Sequence, residues 1–369
     1  MKKNAVTVKT GEVLKITLLV RYFTIGGLER VVISLANRLV ELGWQVQIVI
    51  ISRGKRNSLI TELNPNVNII FLDGNLYSKA RILRQVTKNT LVHIHFGDGK
   101  IHPFIRMQLL NRMVLVTYHS VYRHKRNRIL NYVDYLFNHN LPRIVAVSDS
   151  VKEFCCKDVG LVDKNIVVIK NGIKNEFRKN NHVIGEKVQF VVLCSMYPHK
   201  NHREIIENFA ALKKEGIQNW HLTFIGDGPC MSELFLLARQ LELENDISWL
   251  GAVWNRELVG EIFEKMDVLL SASKYEGFPI SILEAMNYNI SLMLSDIPPH
   301  REIGGDDSFY FELGNYASFR ETYVRIISNK ELLFTIGRNL HERLKKYDID
   351  NTVEKYIAVY NEICKIEND

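Results

Sequence analysis

Short apolar runs alternate with amphipathic stretches along nearly the whole chain, and this alternation constrains the fold more than any other feature. Ile16–Val20, Val46–Ile51, Val67–Leu72, Leu91–Phe96, Met113–Thr117, Ile144–Val147 and Ile166–Ile169 are too short for helices and mostly apolar, as parallel strands buried on both faces are. Between them, Leu28–Leu42 places Val31, Val32, Leu35, Leu39 and Leu42 at helical spacing, and Tyr77–Val86 is a second amphipathic candidate. After the polar stretch Asn175–Lys187 the pattern resumes with Val188–Cys194, Leu222–Ile225, Val268–Ser271 and Ser291–Leu294. Helical candidates follow at Phe319–Ile327, Glu331–Leu344 and Thr352–Cys364. Strand and helix in alternation predict an α/β protein with two Rossmann-like, doubly wound domains, 1–178 and 179–350, joined through the polar stretch. Residues 351–369 read as a C-terminal helix, expected to pack back on the N-terminal domain. Such sheets bind ligands beyond the carboxyl ends of their strands, so the domains should face a central cleft.

The length supports this division, because 369 residues exceed what one ordinary core holds. Cys155, Cys156, Cys194, Cys230 and Cys364 are odd in number and lack C-x-x-C spacing, so they read as reduced thiols, with no zinc or other metal implied. Met1–Val13 is polar, and the first apolar run is too short for a signal or spanning segment, so the expected location is cytoplasmic. The charge is divided unequally: residues 1–180 hold 29 Lys/Arg against 12 Asp/Glu, whereas residues 181–369 hold 19 against 29. The resulting formal charges, +17 and −10, suggest that the first half meets an anion: nucleic acid, a phospholipid surface or a phosphate-bearing substrate. Its densest basic stretch is Arg123, His124, Lys125, Arg126 and Arg128, with Arg106 and Arg112 upstream; solvated helix faces carry similar runs. The chain contains no zinc-finger or RNP-like pattern, so nucleic acid is not expected as a partner.

The most informative segment is Glu276-Gly277-Phe278-Pro279-Ile280-Ser281-Ile282-Leu283-Glu284-Ala285-Met286, directly after the strand Val268–Ser271. Gly277 supplies freedom in a turn and Pro279 is placed for the first helical turn, so free amides near Ile280, Ser281 and Ile282 would meet a phosphate in the cleft. Glu276 precedes the turn and Glu284 lies within the helix, which lets two carboxylates reach the hydroxyls of one ligand from different sides.

The run EGFPISILEAM resembles the donor-site signature of glycosyltransferase family 4, retaining enzymes of the GT-B double-Rossmann fold, and the resemblance covers nearly the whole chain. It implies that Glu276 contacts the donor sugar and Glu284 the ribose hydroxyls. In Cys194-Ser195-Met196-Tyr197-Pro198-His199-Lys200-Asn201, Lys200 fits the family's lysine on the donor diphosphate, where it would also stabilise the leaving group. Ser195 stands at the family's arginine position, so compensation is expected from the helix amides, Arg203 or His199. Gly226-Asp227-Gly228-Pro229 resembles the turn beside the nucleotide, and Trp249-Leu250-Gly251 the segment closing around the base. Gly26-Gly27-Leu28-Glu29-Arg30 resembles the family's N-terminal glycine turn, and His119 in Thr117-Tyr118-His119 its histidine at the donor sugar. His93 and His95, alternating on one strand, read as structural. After Met286 the family's glycine is replaced, and Asn289 is suited to the left-handed cap that remains.

Taken together, the resemblance implies retaining, metal-independent transfer of a sugar from a nucleotide-diphosphate donor, uridine diphosphate being the commoner family partner, with no cofactor beyond this co-substrate. The implied acceptor is a glycan, commonly lipid-linked, in capsule, exopolysaccharide or O-antigen synthesis. The basic N-terminal domain would then lie peripherally on anionic lipid at the inner face of the plasma membrane. A sugar-nucleotide epimerase or hydrolase of the same architecture, and a catalytically silent homologue, are the alternatives.

Overall fold

In the computed structural model, residues 15–24, 26–52, 58–96, 101–121, 128–176 and 183–366 are described. Most of the basic stretch, Arg123 to Arg126, and residues 177–182 of the expected linker lie outside them.

Two parallel sheets organise the chain. The first contains β1 (Lys15–Val20), β2 (Gln45–Ile50), β3 (Asn68–Phe71), β4 (Leu91–Phe96), β5 (Val114–Tyr118), β6 (Ile144–Ala146) and β7 (Ile166–Val168), in the order β3-β2-β1-β4-β5-β6-β7. The second contains β8 (Val188–Leu193), β9 (Trp220–Ile225), β10 (Ile247–Trp249), β11 (Val268–Ser271), β12 (Ser291–Ser295) and β13 (Phe309–Phe311), in the order β10-β9-β8-β11-β12-β13. Both orders reverse direction beside their first strand, between β1 and β4 and between β8 and β11, and loops diverging at such a switch point leave a crevice for ligand. β10 and β13, which the sequence reading leaves out, are edge strands of three residues each and too short to form an apolar run.

The C-terminal helix Ile349–Ile366 returns to the first sheet. Ile349, Val353, Tyr356, Val359, Tyr360 and Ile363 share a core with Ile16, Leu18, Val32 and Leu35. Both phenols enter a buried polar chain: His93 bonds Tyr360 Oη through Nδ1 and Thr117 Oγ1 through Nε2, both at 2.7 Å, and Thr117 Oγ1 meets Tyr356 Oη at 3.4 Å. His93 is thereby a satisfied core residue, with its pKa driven well below the ordinary histidine value by desolvation. The chain therefore crosses between the sheets twice, and the crossings touch: Ile173 N–H donates to Tyr347 O at 3.0 Å and Ile349 N–H to Ile173 O at 2.9 Å.

Tyr356→Ala is expected to destabilise the protein by about 3–5 kcal/mol, as loss of a large buried ring does. Urea unfolding followed by tryptophan fluorescence would measure it. A loss below about 1 kcal/mol would show that the helix is not an integral part of the first core.

Candidate active site

The carboxyl ends of the two sheets enclose a cleft of about 1380 Å³. This exceeds the usual few hundred to 1000 Å³ of a small-molecule pocket, leaving space for two substrates. Gly26, Gly27, His119, Ser195, Lys200, Gly226, Gly228, Glu276, Gly277, Phe278, Pro279, Ile280, Ser281 and Glu284 all line it. Gly251 does not: it turns behind the cleft at φ +61, where its carbonyl accepts the Gly226 N–H at 2.8 Å. Arg203 is also outside, half-exposed and paired with Glu207 and Glu233, so it cannot compensate for Ser195. His199 does line the cleft, stacked at 4.9 Å on the Tyr275 ring.

The turn after β11 presents Glu276 at the centre. Its Oε1 accepts a hydrogen bond from Ser273 Oγ at 2.7 Å and pairs with Lys200 Nζ. Beneath this, Ser295 Oγ donates to Ser273 O at 2.7 Å, and His300 Nδ1 donates to Ser295 O at 2.9 Å. Burial alone would raise the Glu276 carboxyl; Lys200, His300 and the Ser273 hydroxyl outweigh it and hold the group below the ordinary carboxylate range. Burial likewise opposes the Lys200 charge, and the facing carboxylate more than offsets that, so the ammonium is held above its usual value. The pair is a fixed, ionised element of the cleft. Ser273 and His300 are supports whose roles need the fold to be seen.

The helix Ile280–Asn287 follows, with Pro279 preceding it as N-cap instead of occupying its first turn, and no side chain caps it. Its first amides are therefore open to an anion in the cleft. Asn289 takes the left-handed conformation at φ 54, as its position suggests. Across the cleft, the helix Gly27–Glu41 has glycine at its N-cap and its own buried Glu29 carboxyl bonded to the main chain of Thr24 and Glu29, and a Cβ built on Gly27 would lie 3.8 Å from Ile280 Cγ1. Two helix N-termini thus face one another.

Glu284, one turn into its helix, is buried and flanked by Arg256 Nη2 at 3.0 Å and Arg30 Nε at 3.9 Å. Both contacts fall on Oε1 as charge pairs without directed hydrogen-bond geometry, which leaves a carboxylate in the cleft able to accept from hydroxyls. His119, at the end of β5, bonds His95 Nδ1 through Nε2 at 3.0 Å, while desolvation pushes its pKa down to about 3 and keeps it neutral. His95 is therefore the positioning partner of His119, a role its alternation with His93 does not reveal. Gly277 approaches the same place from the second sheet: a Cβ there would fall 1.9 Å from the His119 carbonyl oxygen. Among the described residues, no group of three or more His, Cys, Asp or Glu is arranged to hold a metal ion.

Comparison with known proteins agrees with this geometry. Residues 25–177 match the family described as Glycosyltransferase Family 4, and residues 173–348 match Glycosyl transferases group 1, so the two adjoining matches run through both sheets. The chain belongs to these glycosyltransferases. A 232-residue stretch is 24% identical to an exopolysaccharide phosphotransferase of Streptomyces coelicolor, covering 62% of this chain but only 24% of that protein's length. Over 327 residues the chain is 22% identical to the Escherichia coli UDP-Gal:alpha-D-GlcNAc-diphosphoundecaprenol alpha-1,3-galactosyltransferase, covering 83% of each. Anabaena HepE, solved in complex with UDP and glucose, superposes with a TM-score of 0.82 at 16% identity over 95% of this chain and 100% of its own. That superposition establishes the GT-B fold.

Lys200→Met would strand the Glu276 carboxylate, with an expected loss of about 3–5 kcal/mol at neutral pH. In the wild type the folded Glu276 pKa is depressed, so its contribution is present above about 4.3, the unfolded value, and is lost as pH falls through the folded value. In the variant, burial without a partner raises that pKa, so stability should instead decline as pH climbs above about 4.3. Urea midpoints measured from pH 3.5 to 8 distinguish the two slopes; parallel profiles would show that Lys200 does not set the ionisation of Glu276.

Proposed function

We propose that the protein is a retaining glycosyltransferase that moves a sugar from a nucleotide-diphosphate donor, a UDP-sugar in the first instance, to a lipid-linked glycan acceptor. The observation that carries this reading is the convergence of the Lys200–Glu276 pair, the uncapped start of the helix Ile280–Asn287 and the buried Glu284 carboxylate on one cleft. A diphosphate matches the cation and amides, ribose hydroxyls match Glu284, and the sugar then lies between Glu276 and His119. The E. coli relative's name specifies a UDP-sugar donor and a lipid-diphosphate acceptor, and HepE was solved with UDP and glucose, which supports the same classes here.

As the anomeric bond breaks, negative charge grows on the departing diphosphate, and the preorganised Lys200 and helix amides stabilise it. Glu276 is held ionised on the sugar side, favouring an oxocarbenium-like state. The acceptor hydroxyl attacks from the face the diphosphate leaves, so configuration is retained, and the leaving phosphate oxygen takes the hydroxyl proton. The fixed cation serves where a divalent ion would, so turnover should persist in EDTA.

The membrane contact has its own support. In the helix Arg128–Asn138 the usual sidedness is reversed. Asn138 is buried and donates to Tyr118 Oη at 2.8 Å, and Asn131 donates inward to Asp158 O at 3.0 Å. The apolar side, Ile129, Tyr132 and Leu136, is exposed at 69%, 60% and 48%. Arg106, itself bonded to Asn138, joins this helix to a segment that exposes Phe104, Met107 and Leu110. Such apolar rows, with the exposed Arg128 at the start of the helix, suit the interface of an anionic bilayer. No helix among the described residues is long and apolar enough to cross one.

Purified protein incubated with a panel of nucleotide sugars, with and without membrane lipid extract, should release nucleotide only when donor and lipid are both present. Glu276→Gln should lower that release by at least about 100-fold. Release without acceptor would indicate a hydrolase, and binding without turnover a silent homologue. Ile129→Ser, Tyr132→Ser and Leu136→Ser combined should abolish co-sedimentation with vesicles containing anionic lipid; unchanged sedimentation would remove the helix from the membrane contact.

A further inference from the structure

The family signature pairs Lys200 with an arginine five residues earlier, and this chain has Ser195 there. A donor diphosphate carries more than one negative charge, so a single ammonium leaves the site short of a cation. The cleft itself supplies candidates: Arg30, Arg38, Lys174, Lys200 and Arg256 are its lining cations. Arg38 is engaged by Glu41 at 2.8 Å and Asp350 at 2.6 Å, and Lys174 is an exposed side chain paired with Glu176 at 2.6 Å. Lys200 is committed to Glu276. Arg256 is half-exposed and lies 3.0 Å from Glu284.

Arg30 differs from the others. Its side chain is only 13% exposed; its Nη1 makes a long hydrogen bond to Glu62 Oε2 at 3.4 Å, and its Nε stands 3.9 Å from Glu284 Oε1. A mostly desolvated guanidinium with two loose partners retains donors that a stronger anion can take. Its place in the fold aims it correctly. Arg30 N–H donates to Gly26 O at 3.3 Å in the first turn of its helix, and Gly27 in that turn faces Ile280 at the opposing helix start. Glu284, which Arg30 approaches, is one turn further along the opposing helix. The guanidinium therefore lies in the cleft beside Glu284, on the same helix whose first amides are uncapped.

We propose that Arg30, contributed by the first sheet's domain, is the second cation on the donor diphosphate, taking the place of the arginine absent at position 195. The inference rests on the nucleotide-sugar reading above. A consequence is that the diphosphate is clamped from both sides of the cleft, with Lys200 on one side and Arg30 on the other.

Calorimetric titration with UDP and with uridine tests it, using wild type, Arg30→Ala, Ser195→Arg and the double variant, with GDP and guanosine as a second pair. Arg30→Ala should weaken diphosphate binding by about 10-fold or more while leaving nucleoside affinity within about 2-fold. Ser195→Arg should recover most of that loss in the Arg30→Ala background and add less in the wild type, the non-additivity expected of two cations on one anion. Equal losses for diphosphate and nucleoside would overturn the proposal and assign Arg30 to positioning Glu284. Full diphosphate affinity in Arg30→Ala would overturn it outright. If Arg30→Ala does not fold, Arg30→Lys replaces it, and the same selective loss, smaller in size, is required. Failure of wild type to bind either diphosphate would refute the nucleotide reading itself, an outcome distinct from a wild type that binds and a variant that binds equally.

Discussion

The cleft depends on a backbone contact made across it. Gly277 sits so close to the His119 carbonyl that a methyl group at 277 would fall 1.9 Å from the oxygen. Glycine is required there by space, since any side chain would force the two sheets apart. The same turn is secured on its other side by Asn171, whose Nδ2 donates to Phe278 O at 3.1 Å from the crossing between the sheets. With the turn held at both ends, Glu276 and the start of the helix Ile280–Asn287 are fixed relative to the first sheet. The position of His119 and the position of Glu276 are thus two consequences of one close approach.

The ion pair beside this turn shows how the cleft keeps a charge ready in a poorly solvated place. Glu276 and Lys200 are each about nine-tenths shielded from solvent, and a lone charge there would be neutralised by proton transfer. Each keeps the other ionised, and Ser273 adds a neutral donor that asks nothing in return. The histidines nearby are handled in the opposite way. Desolvation pushes His300 to about 4 and His119 to about 3, so they act as dipoles and hydrogen-bond partners at neutral pH. A donor entering the cleft would therefore find its charges already arranged, with little reorganisation left to the reaction.

Much of this was legible because parallel strands buried on both faces are mostly apolar, and β1, β4, β8 and β11 read that way despite Thr17, His93, His95 and Gln189. The signature residues follow from the strands, since a doubly wound sheet presents its loops at one end. β10 and β13 were not legible: an edge strand of three residues carries no pattern. The partners of the site residues were hidden for a different reason. Arg30 meets Glu284, and His93 meets Tyr360, across most of the chain's length, and no local spacing encodes such pairs. Arg203 looked close to Ser195 in sequence, yet it begins a helix whose exposed face carries it to Glu207 and Glu233.

The division of charge between the halves bears on how the donor is held. The second half carries a formal −10, so its long-range field opposes a diphosphate even though that half holds the signature turn. A bound diphosphate would need local donors to overcome this field within a few ångströms, and on that half the candidates are Lys200 and the uncapped helix amides. The remaining positive charge is on the first half, at +17, and Arg30 is the point where that half reaches the opposing helix. Drawing one cation from each side would make a bound diphosphate a bridge between the two halves. Under the proposed reading, the excess positive charge of the first half would reach the donor through Arg30, the point where that half meets the opposing helix.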